Sequence, residues 1–288
     1  MAAAQDFCTD PGEQIELLAD DERPGGWLLL IDRIRQSYVD LDDPSYLDFE
    51  YVQAFADVLD ALPDGPLNVT HVGGGGCTLA RYVAATRPGS SQVVFEPDAR
   101  VTALVRARLP FPRGARIRVR PVGGREGIGA LADMSADVVV IDAFAGGRVP
   151  AELTTLEWFG EVARVLRPSG VLLFNAADGD TAARGGAAGR HLGYTRRVLA
   201  GLRAVLPEAL LRADPSVVKG RRFGNVVLAA SRSGLPRAAA ERAAAGAMFP
   251  QRVVAGAELD RLVGGAAPFT DADSARSPMP PDELWRVQ

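Results

Sequence analysis

From residue 67 onward the chain alternates short β-prone runs with helix-length segments, and this alternation restricts its possible folds more than any other feature. "LNVTHV" (67–72), "SQVVFE" (91–96), "RIRVR" (116–120), "ADVVVID" (136–142) and "GVLLFNA" (170–176) read as strands. Helices are expected near 77–86, 98–109 and 151–166, the last carrying Leu153, Leu156, Phe159, Val162 and Leu166 on one side. Strands separated by helices of this length require right-handed crossovers and a mostly parallel sheet. "RPSG" (167–170) reads as a helix stop and tight turn. A helix near 190–206, then "ALLRAD" and "GNVVLAAS", complete the pattern as an antiparallel edge pair, for seven strands in all.

Before this unit, "WLLLI" (27–31) and "IRQSYV" (34–39) flank Asp32 and Arg33 as a hairpin, although Arg33 fits poorly in the tightest turn, where Gly is favoured. After Pro44, Ser45 is placed to cap a helix with Val52, Phe55, Leu59 and Leu62 at helical spacing and Asp48 in its first turn. Beyond residue 232 the chain is rich in Ala, Pro and Gly, with one helix expected near 236–247 and a proline-rich end, "SPMPPDELW". The expected organisation is an N-terminal segment (1–50), a catalytic-sized α/β unit (51–232) and a C-terminal helix and tail (233–288).

In such a sheet, ligands bind beyond the carboxyl ends of the strands where the connections reverse direction. The first of those ends is "HVGGGGCTLARYV" (71–83). Gly73, Gly74, Gly75 and Gly76 let a ligand approach the backbone, and the next helix would offer free N–H groups; tight strand-to-helix packing is the competing reading. A dinucleotide fingerprint fails, because its last glycine would fall at Thr78 or Leu79. Glu96 ends the second strand 23 residues after Gly73, where an acid can accept from both hydroxyls of a ribose or, alternatively, join Asp98 in capping the next helix. Together these features point to an adenosyl ligand. Asp142 follows "VVVI" at the same rim, suited to orienting or deprotonating an amine, to balancing a cationic ligand, or merely to capping a turn.

Other chemistries find little footing. His71 lies inside a strand as a core residue and His191 on a helix face; Cys8 and Cys77 lack metal-ligand neighbours and are expected to be reduced and unpaired. No metal site is expected. A net charge of −4 argues against nucleic acid as a partner. No apolar run suits a membrane span and "MAAAQDFCTD" does not read as a signal peptide, so a cytoplasmic location is the expectation.

The order of these motifs resembles the polyamine aminopropyltransferases, the spermidine synthases and their relatives, within the S-adenosylmethionine-dependent class I methyltransferase fold. The resemblance covers about residues 27–232 and rests on "LLLIDRIRQSYVDL", "YLDFEYVQAFADVL", "VGGGGCTLARYV", Glu96, "ADVVVIDAF" and "EVARVLRPSGVLLFN". It implies a Rossmann-like α/β fold with an N-terminal β-hairpin. It also implies Gln36 near the nucleoside, Glu96 on the ribose, and Asp142 opening the catalytic loop and accepting the amine proton. An acid that commonly contacts the adenine has Gly124 at its position in "PVGGREG", which leaves Glu126 nearby.

Several positions depart from the family pattern. The family's G-G-G-D-G-G loop has no aspartate here, and its D-S-S-D-P loop is replaced by "DAFAGGRVP". The start of its helix, Tyr-His-Glu, is replaced by "FEY". Spermidine-synthase-like bacterial proteins with a D-A-F loop carry a T-D-D-like segment near the carboxyl end, which makes "PFTDAD" (268–273) a candidate to return Asp271 or Asp273 to the site. The resemblance implies a transferase that uses S-adenosylmethionine or its decarboxylated form to alkylate a small amine or metabolite, with a homodimer as the expected assembly. A small-molecule methyltransferase and a non-catalytic nucleoside-binding or dimerisation module are the alternatives. For a methyltransferase, the ligand carboxylate would look to the Gly-loop amides and to Arg81 or Arg148.

Overall fold

The computed structural model describes residues 14–179 and 191–281. Cys8 and residue 190, the expected first residue of a helix, lie outside that range, as does the end of the proline-rich segment. Three strands, β1 (Ile15–Ala19), β2 (Gly26–Ile31) and β3 (Ile34–Asp40), form an antiparallel sheet of their own. The expected hairpin is therefore two-thirds of a larger unit, with "IELLA" supplying the strand that sequence reading omitted. The β2–β3 turn holds Asp32 at φ 49° and Arg33 at φ 64°, both left-handed, so the tight two-residue turn forms despite lacking glycine. Leu29 and Val39 bury against Val101, Val105 and Leu109, which fixes this sheet to the larger domain.

The main unit runs α1 (Glu50–Asp60), β4 (Asn68–Val72), α2 (Thr78–Thr86), β5 (Ser91–Phe95), α3 (Ala99–Arg108), β6 (Arg116–Arg120), α4 (Gly124–Gly129) and β7 (Ala136–Ile141). It continues with α5 (Leu156–Val165), β8 (Leu166–Asp178), α6 (Gly193–Val205), β9 (Glu208–Ala213), α7 (Pro215–Val218), β10 (Gly224–Ser231), α8 (Arg237–Gly246), β11 (Arg252–Ala255) and α9 (Ala257–Val263). The sheet has eight strands in the order β11-β9-β10-β8-β7-β4-β5-β6, one more than expected. The addition is β11, whose four residues are too few for a periodicity to stand out; it pairs antiparallel with β9 at the edge. Strands β6 to β8 are mutually parallel, and β10 inserts antiparallel between β8 and β9.

Helices cover both faces. On one side α1 and α2 bury Phe55, Leu59, Tyr82 and Val83 against Val138, Leu173 and Val227. On the other, α5 buries Trp158, Phe159 and Val162, and α6 buries Val198, Leu199 and Leu202. Each such side chain contributes about 1.5–3 kcal/mol of transfer free energy.

Several local readings need correction. Helix α1 begins at Glu50, not near Ser45: the Ser45 hydroxyl is spent on Asp43, 2.5 Å away, while the Phe49 carbonyl accepts from the Val52 and Gln53 amides. Asp48 therefore lies outside the helix and pairs with Arg35. The helix expected over 151–166 divides into a short 3-10 turn, Ala151–Leu153, and α5, because Thr155 caps α5 by accepting from the Trp158 amide. "RPSG" makes no turn; β8 starts directly from the end of α5 and runs through it. His191 sits in the turn before α6 rather than on the helix.

His71 is the buried core histidine that its strand position implied, with Nε2 2.9 Å from Gln92 Oε1. Burial pushes its pKa down to about 4. A histidine kept neutral when folded confers stability above its unfolded pKa of 6.5 and loses it as pH falls through the folded value. The expected result is a loss of about 3 kcal/mol between pH 6.5 and 4 from this residue. Denaturant midpoints of the parent and His71→Gln across that range check it; equal acid sensitivity in both would refute the assignment.

Candidate functional site

An open cleft of about 1730 Å³ lies beyond the carboxyl ends of β4, β5, β7 and β8, where the connections reverse. Its wall includes Gln36, Gly73, Gly74, Gly75, Glu96, Glu126 and Asp142. One chain segment after another thus delivers the sequence-selected residues to a single rim. Gly76 is the exception. It faces away from the cleft, where a Cβ would press on Val39 and Ser37 of β3, so its role is close packing of the loop on the N-terminal sheet. Glu126 is exposed on the wall, and Gln36 is half-buried with its amide 3.4 Å from the Ile34 carbonyl oxygen.

The Gly74, Gly75 and Gly76 amides are engaged within the protein and are not free for a ligand. Gly74 and Gly75 both donate to Glu96 Oε2 at 3.0 Å, and Gly76 donates to the Ser37 hydroxyl at 3.0 Å. Glu96 Oε1 meanwhile accepts from the Asp98 amide at 3.0 Å. The capping reading holds in modified form: Asp98 itself caps α3, and Glu96 braces both that cap and the glycine loop. Burial pushes the Glu96 carboxyl above the usual carboxylate range, against the pull of these three amides. Carboxylates accept up to about four hydrogen bonds, so capacity remains for a hydroxyl from the cleft.

Gly124 explains why no acid occupies the position after β6. A side chain there would collide with Val72 and crowd Leu153, because α4 packs directly under the end of β4. Cys77 is buried and unpaired, and burial pushes its thiol up to about 12, so it stays protonated near neutrality. Arg81 is withdrawn from any ligand role: it is buried, with its guanidinium donating to the Gly76, Leu109 and Pro110 carbonyls. Arg148 is likewise committed to the Ser277 and Arg276 carbonyls.

Asp142 lines the cleft directly after β7. The Tyr51 hydroxyl donates to its Oδ2 at 3.1 Å, and the Asn175 amide donates to its Oδ1 at 3.0 Å. Burial pushes the Asp142 carboxyl above its ordinary value, while those two hydrogen bonds oppose the shift. Tyr51 is raised well above the usual phenol range by burial and by the neighbouring Asp142 charge, so it remains a donor. Neither partner was selected from sequence. Tyr51 lies in the first turn of α1 within "FEY", and Asn175 is the one polar residue in "GVLLFNAA", a placement that could have flagged it.

The "PFTDAD" segment does reach the site. Asp271 lines the cleft, paired with Arg125 and accepting from the Thr155 hydroxyl at 2.7 Å, and Phe269 bridges to Thr155. Asp273 instead pairs with Arg197, off the cleft wall. Further on, the buried Ser277 hydroxyl accepts from the Val149 amide at 2.9 Å, tying the tail to the "DAFAGGRVP" loop. Ser277→Ala leaves that amide unpaired and is expected to cost about 1–3 kcal/mol. Hydrogen exchange of the loop amides after Asp142 would rise if the tail holds it, and unchanged protection would count against that role.

Among the described residues no helix is long and apolar enough to cross a membrane, and no group of three or more His, Cys, Asp or Glu is placed to hold a metal ion.

No family model matches the chain. A polyamine aminopropyltransferase from Chromobacterium violaceum is 30% identical over 146 residues, which cover 50% of this chain and 55% of that protein. One from Neisseria meningitidis is 29% identical over 150 residues, again 50% and 55%. The chain spans about half the length of the curated relatives it matches. Among solved structures, a probable spermidine synthase from Corynebacterium glutamicum is 31% identical with a TM-score of 0.82, covering 91% of this chain and 94% of that one. A spermidine synthase in complex with the transition-state analogue AdoDATO shares the fold at 15% identity and TM-score 0.56, over 81% and 74% of the two chains. Near-complete overlap at 31% identity joins the strand order and the cleft to one lineage: the chain belongs to the spermidine synthase-like, polyamine aminopropyltransferase family.

Proposed function

We propose that this protein is a transferase that uses an S-adenosylmethionine-derived sulfonium, S-adenosylmethionine or its decarboxylated form, to alkylate a small amine or metabolite. The observation that carries the reading is the Tyr51–Asp142–Asn175 cluster at one end of a cleft whose wall includes Gly73, Gly74, Gly75 and Glu96. In this reading Glu96 takes the ribose hydroxyls, Gln36 and Glu126 border the nucleoside, and Asp142 accepts the proton of the attacking nitrogen. Tyr51 and Asn175 hold the carboxylate in place, so positioning and proton acceptance supply the catalysis.

The decarboxylated donor fits better than S-adenosylmethionine itself. A ligand carboxylate near the glycine loop would need free donors, yet the Gly74, Gly75 and Gly76 amides, Arg81 and Arg148 are all engaged. The 1–50, 51–232 and 233–288 division, a homodimeric assembly and a cytoplasmic site of action belong to the same reading. Light scattering of the purified chain tests the dimer.

Calorimetry with S-adenosylmethionine, decarboxylated S-adenosylmethionine and methylthioadenosine tests the donor. The decarboxylated sulfonium and methylthioadenosine are expected to bind, with S-adenosylmethionine weaker by about tenfold or more for its unpaired carboxylate. If none of the three binds, the transferase reading falls and a non-catalytic module takes its place; tighter S-adenosylmethionine binding would favour methyl transfer.

A further inference from the structure

The end of the cleft beyond Asp142 contains polar atoms that the protein itself leaves unused. Asn175 Oδ1, Asn225 Oδ1 and Arg212 Nε are buried and have no hydrogen-bond partner. All three residues line the cleft. Buried polar groups are nearly always satisfied, so three in one place call for an occupant.

Their arrangement follows from strand register. Asn175 on β8 lies opposite Val227 on β10, and Val227 lies opposite Arg212 on β9. Residues directly opposite share a face, so Asn175, Val227 and Arg212 form one row across three strands on the α1 side of the sheet. Asn225, two residues before Val227, is on the same face. Adjacent strands are about 4.8 Å apart, which puts the two ends of the row about 10 Å from each other at the backbone.

Each position has its own chemistry. At the Asp142 end, a carboxylate and an amide oxygen accept hydrogen bonds, which suits an amine nitrogen. The middle of the row is the apolar Val227, which suits a short methylene chain. At the far end the Arg212 guanidinium is paired with Asp57 through Nη1, while its Nε–H points to no acceptor. An N–H that cannot be an acceptor requires an oxygen or similar group opposite it, and a second ammonium there would leave it unsatisfied and face a guanidinium. The acids nearby are engaged: Asp214 accepts from the Ser216 amide and hydroxyl, and Glu50, at the exposed mouth, accepts from Gln251.

The geometry points to an acceptor subsite for a short aminoalkyl compound with an oxygen function at its far end, an amino alcohol or ω-amino carboxylate, rather than for a symmetrical diamine. Arg212 and Asn225 are the specificity-determining residues. The inference rests on the transferase reading above. In the step it describes, the neutral amine nitrogen forms a C–N bond to the aminopropyl carbon beside the sulfonium of decarboxylated S-adenosylmethionine. The C–S bond breaks with its electron pair going to sulfur, which releases methylthioadenosine, and the extra nitrogen proton passes to Asp142.

The test compares 1,4-diaminobutane, 4-amino-1-butanol and 4-aminobutyrate as acceptors with decarboxylated S-adenosylmethionine, reading methylthioadenosine release and product mass. One of the oxygen-bearing amines is expected to exceed the diamine in kcat/KM by about tenfold or more, and which of the two leads identifies the oxygen as hydroxyl or carboxylate. The paired substitution Arg212→Leu with Asp57→Asn removes the N–H without stranding an acid and is expected to erase that preference. If that variant fails to fold, Asn225→Asp, at a less buried position, is expected to shift the ratio toward the diamine. A wild-type preference for the diamine, or an unchanged ratio in Asn225→Asp, overturns the subsite while methylthioadenosine binding keeps the transferase reading intact. Absence of methylthioadenosine binding overturns both.

Discussion

Asp142→Asn is expected to lower transfer to an amine acceptor by about 10²–10⁴-fold, to leave methylthioadenosine affinity unchanged, and to raise the thermal midpoint at neutral pH. The substitution keeps the shape of a side chain that meets Tyr51 and Asn175, so the cleft should persist. It removes the only group in that cluster able to accept a proton. The stability gain follows from the direction of the shift. Burial raises the Asp142 pKa, so its charged form is more costly in the folded chain than in the unfolded one. That cost is absent below the unfolded pKa and grows as pH rises through the folded value. The Asn variant should therefore be the more stable protein near neutrality and lose its advantage in acid. Paired kinetic and melting measurements decide the matter: turnover within a few-fold of the parent removes Asp142 from the proton step, and a lower neutral midpoint contradicts the burial argument.

Gly73→Ala is expected to destabilise the fold by on the order of 3 kcal/mol, a shift of roughly 5 °C in the melting midpoint. Gly73 has φ +93°, and a Cβ there would collide with the Asp142 carbonyl oxygen and carbon. Neither backbone can yield easily. The Gly73 amide donates to Phe95 and the Asp142 amide donates to Val72, each at 2.9 Å, which pins the ends of β4, β5 and β7 to one another. The same contact places the glycine loop beside the proposed proton acceptor, so the variant should also lose activity out of proportion to its unfolded fraction. Gly65→Ala provides the comparison: its φ is +114°, but nothing lies within 4 Å of the added carbon. It isolates the backbone term, about 1 kcal/mol. If both variants melt alike, the collision at Gly73 has no energetic weight.

Much of the architecture was legible in the chain. Strands β4 to β8 and β10 carry apolar runs whose length and spacing are set locally, and β6 and β10 fall on the residues read as "RIRVR" and "GNVVLAAS". The elements that escaped are short or fixed from outside. Strand β11 has four residues and α7 has four, so neither spans enough chain for a period to show. Helix α1 starts where the Phe49 carbonyl is engaged rather than where a capping residue stands, a choice that Asp43 makes by occupying Ser45.

At the site the division is similar. Gly73, Glu96 and Asp142 could be read because each ends a strand, and the end of a strand in a parallel sheet is a position in sequence as well as in space. Tyr51 could not, since its meaning comes from Asp142, 91 residues away, and Asn175 stood out only as a polar residue in an apolar strand, its partner 33 residues away being set by the fold. The sequence by itself determined the alternation of strands and helices and the residues that end the strands at the cleft rim, because each depends on residue type at local spacing. Only the tertiary structure decided that the loop amides are occupied by Glu96 and Ser37, that Arg81 is committed to carbonyls, and that Asn175, Asn225 and Arg212 share one face of the sheet. Those are contacts between distant segments, and a hydrogen bond is defined by where its two partners meet, which no local pattern encodes.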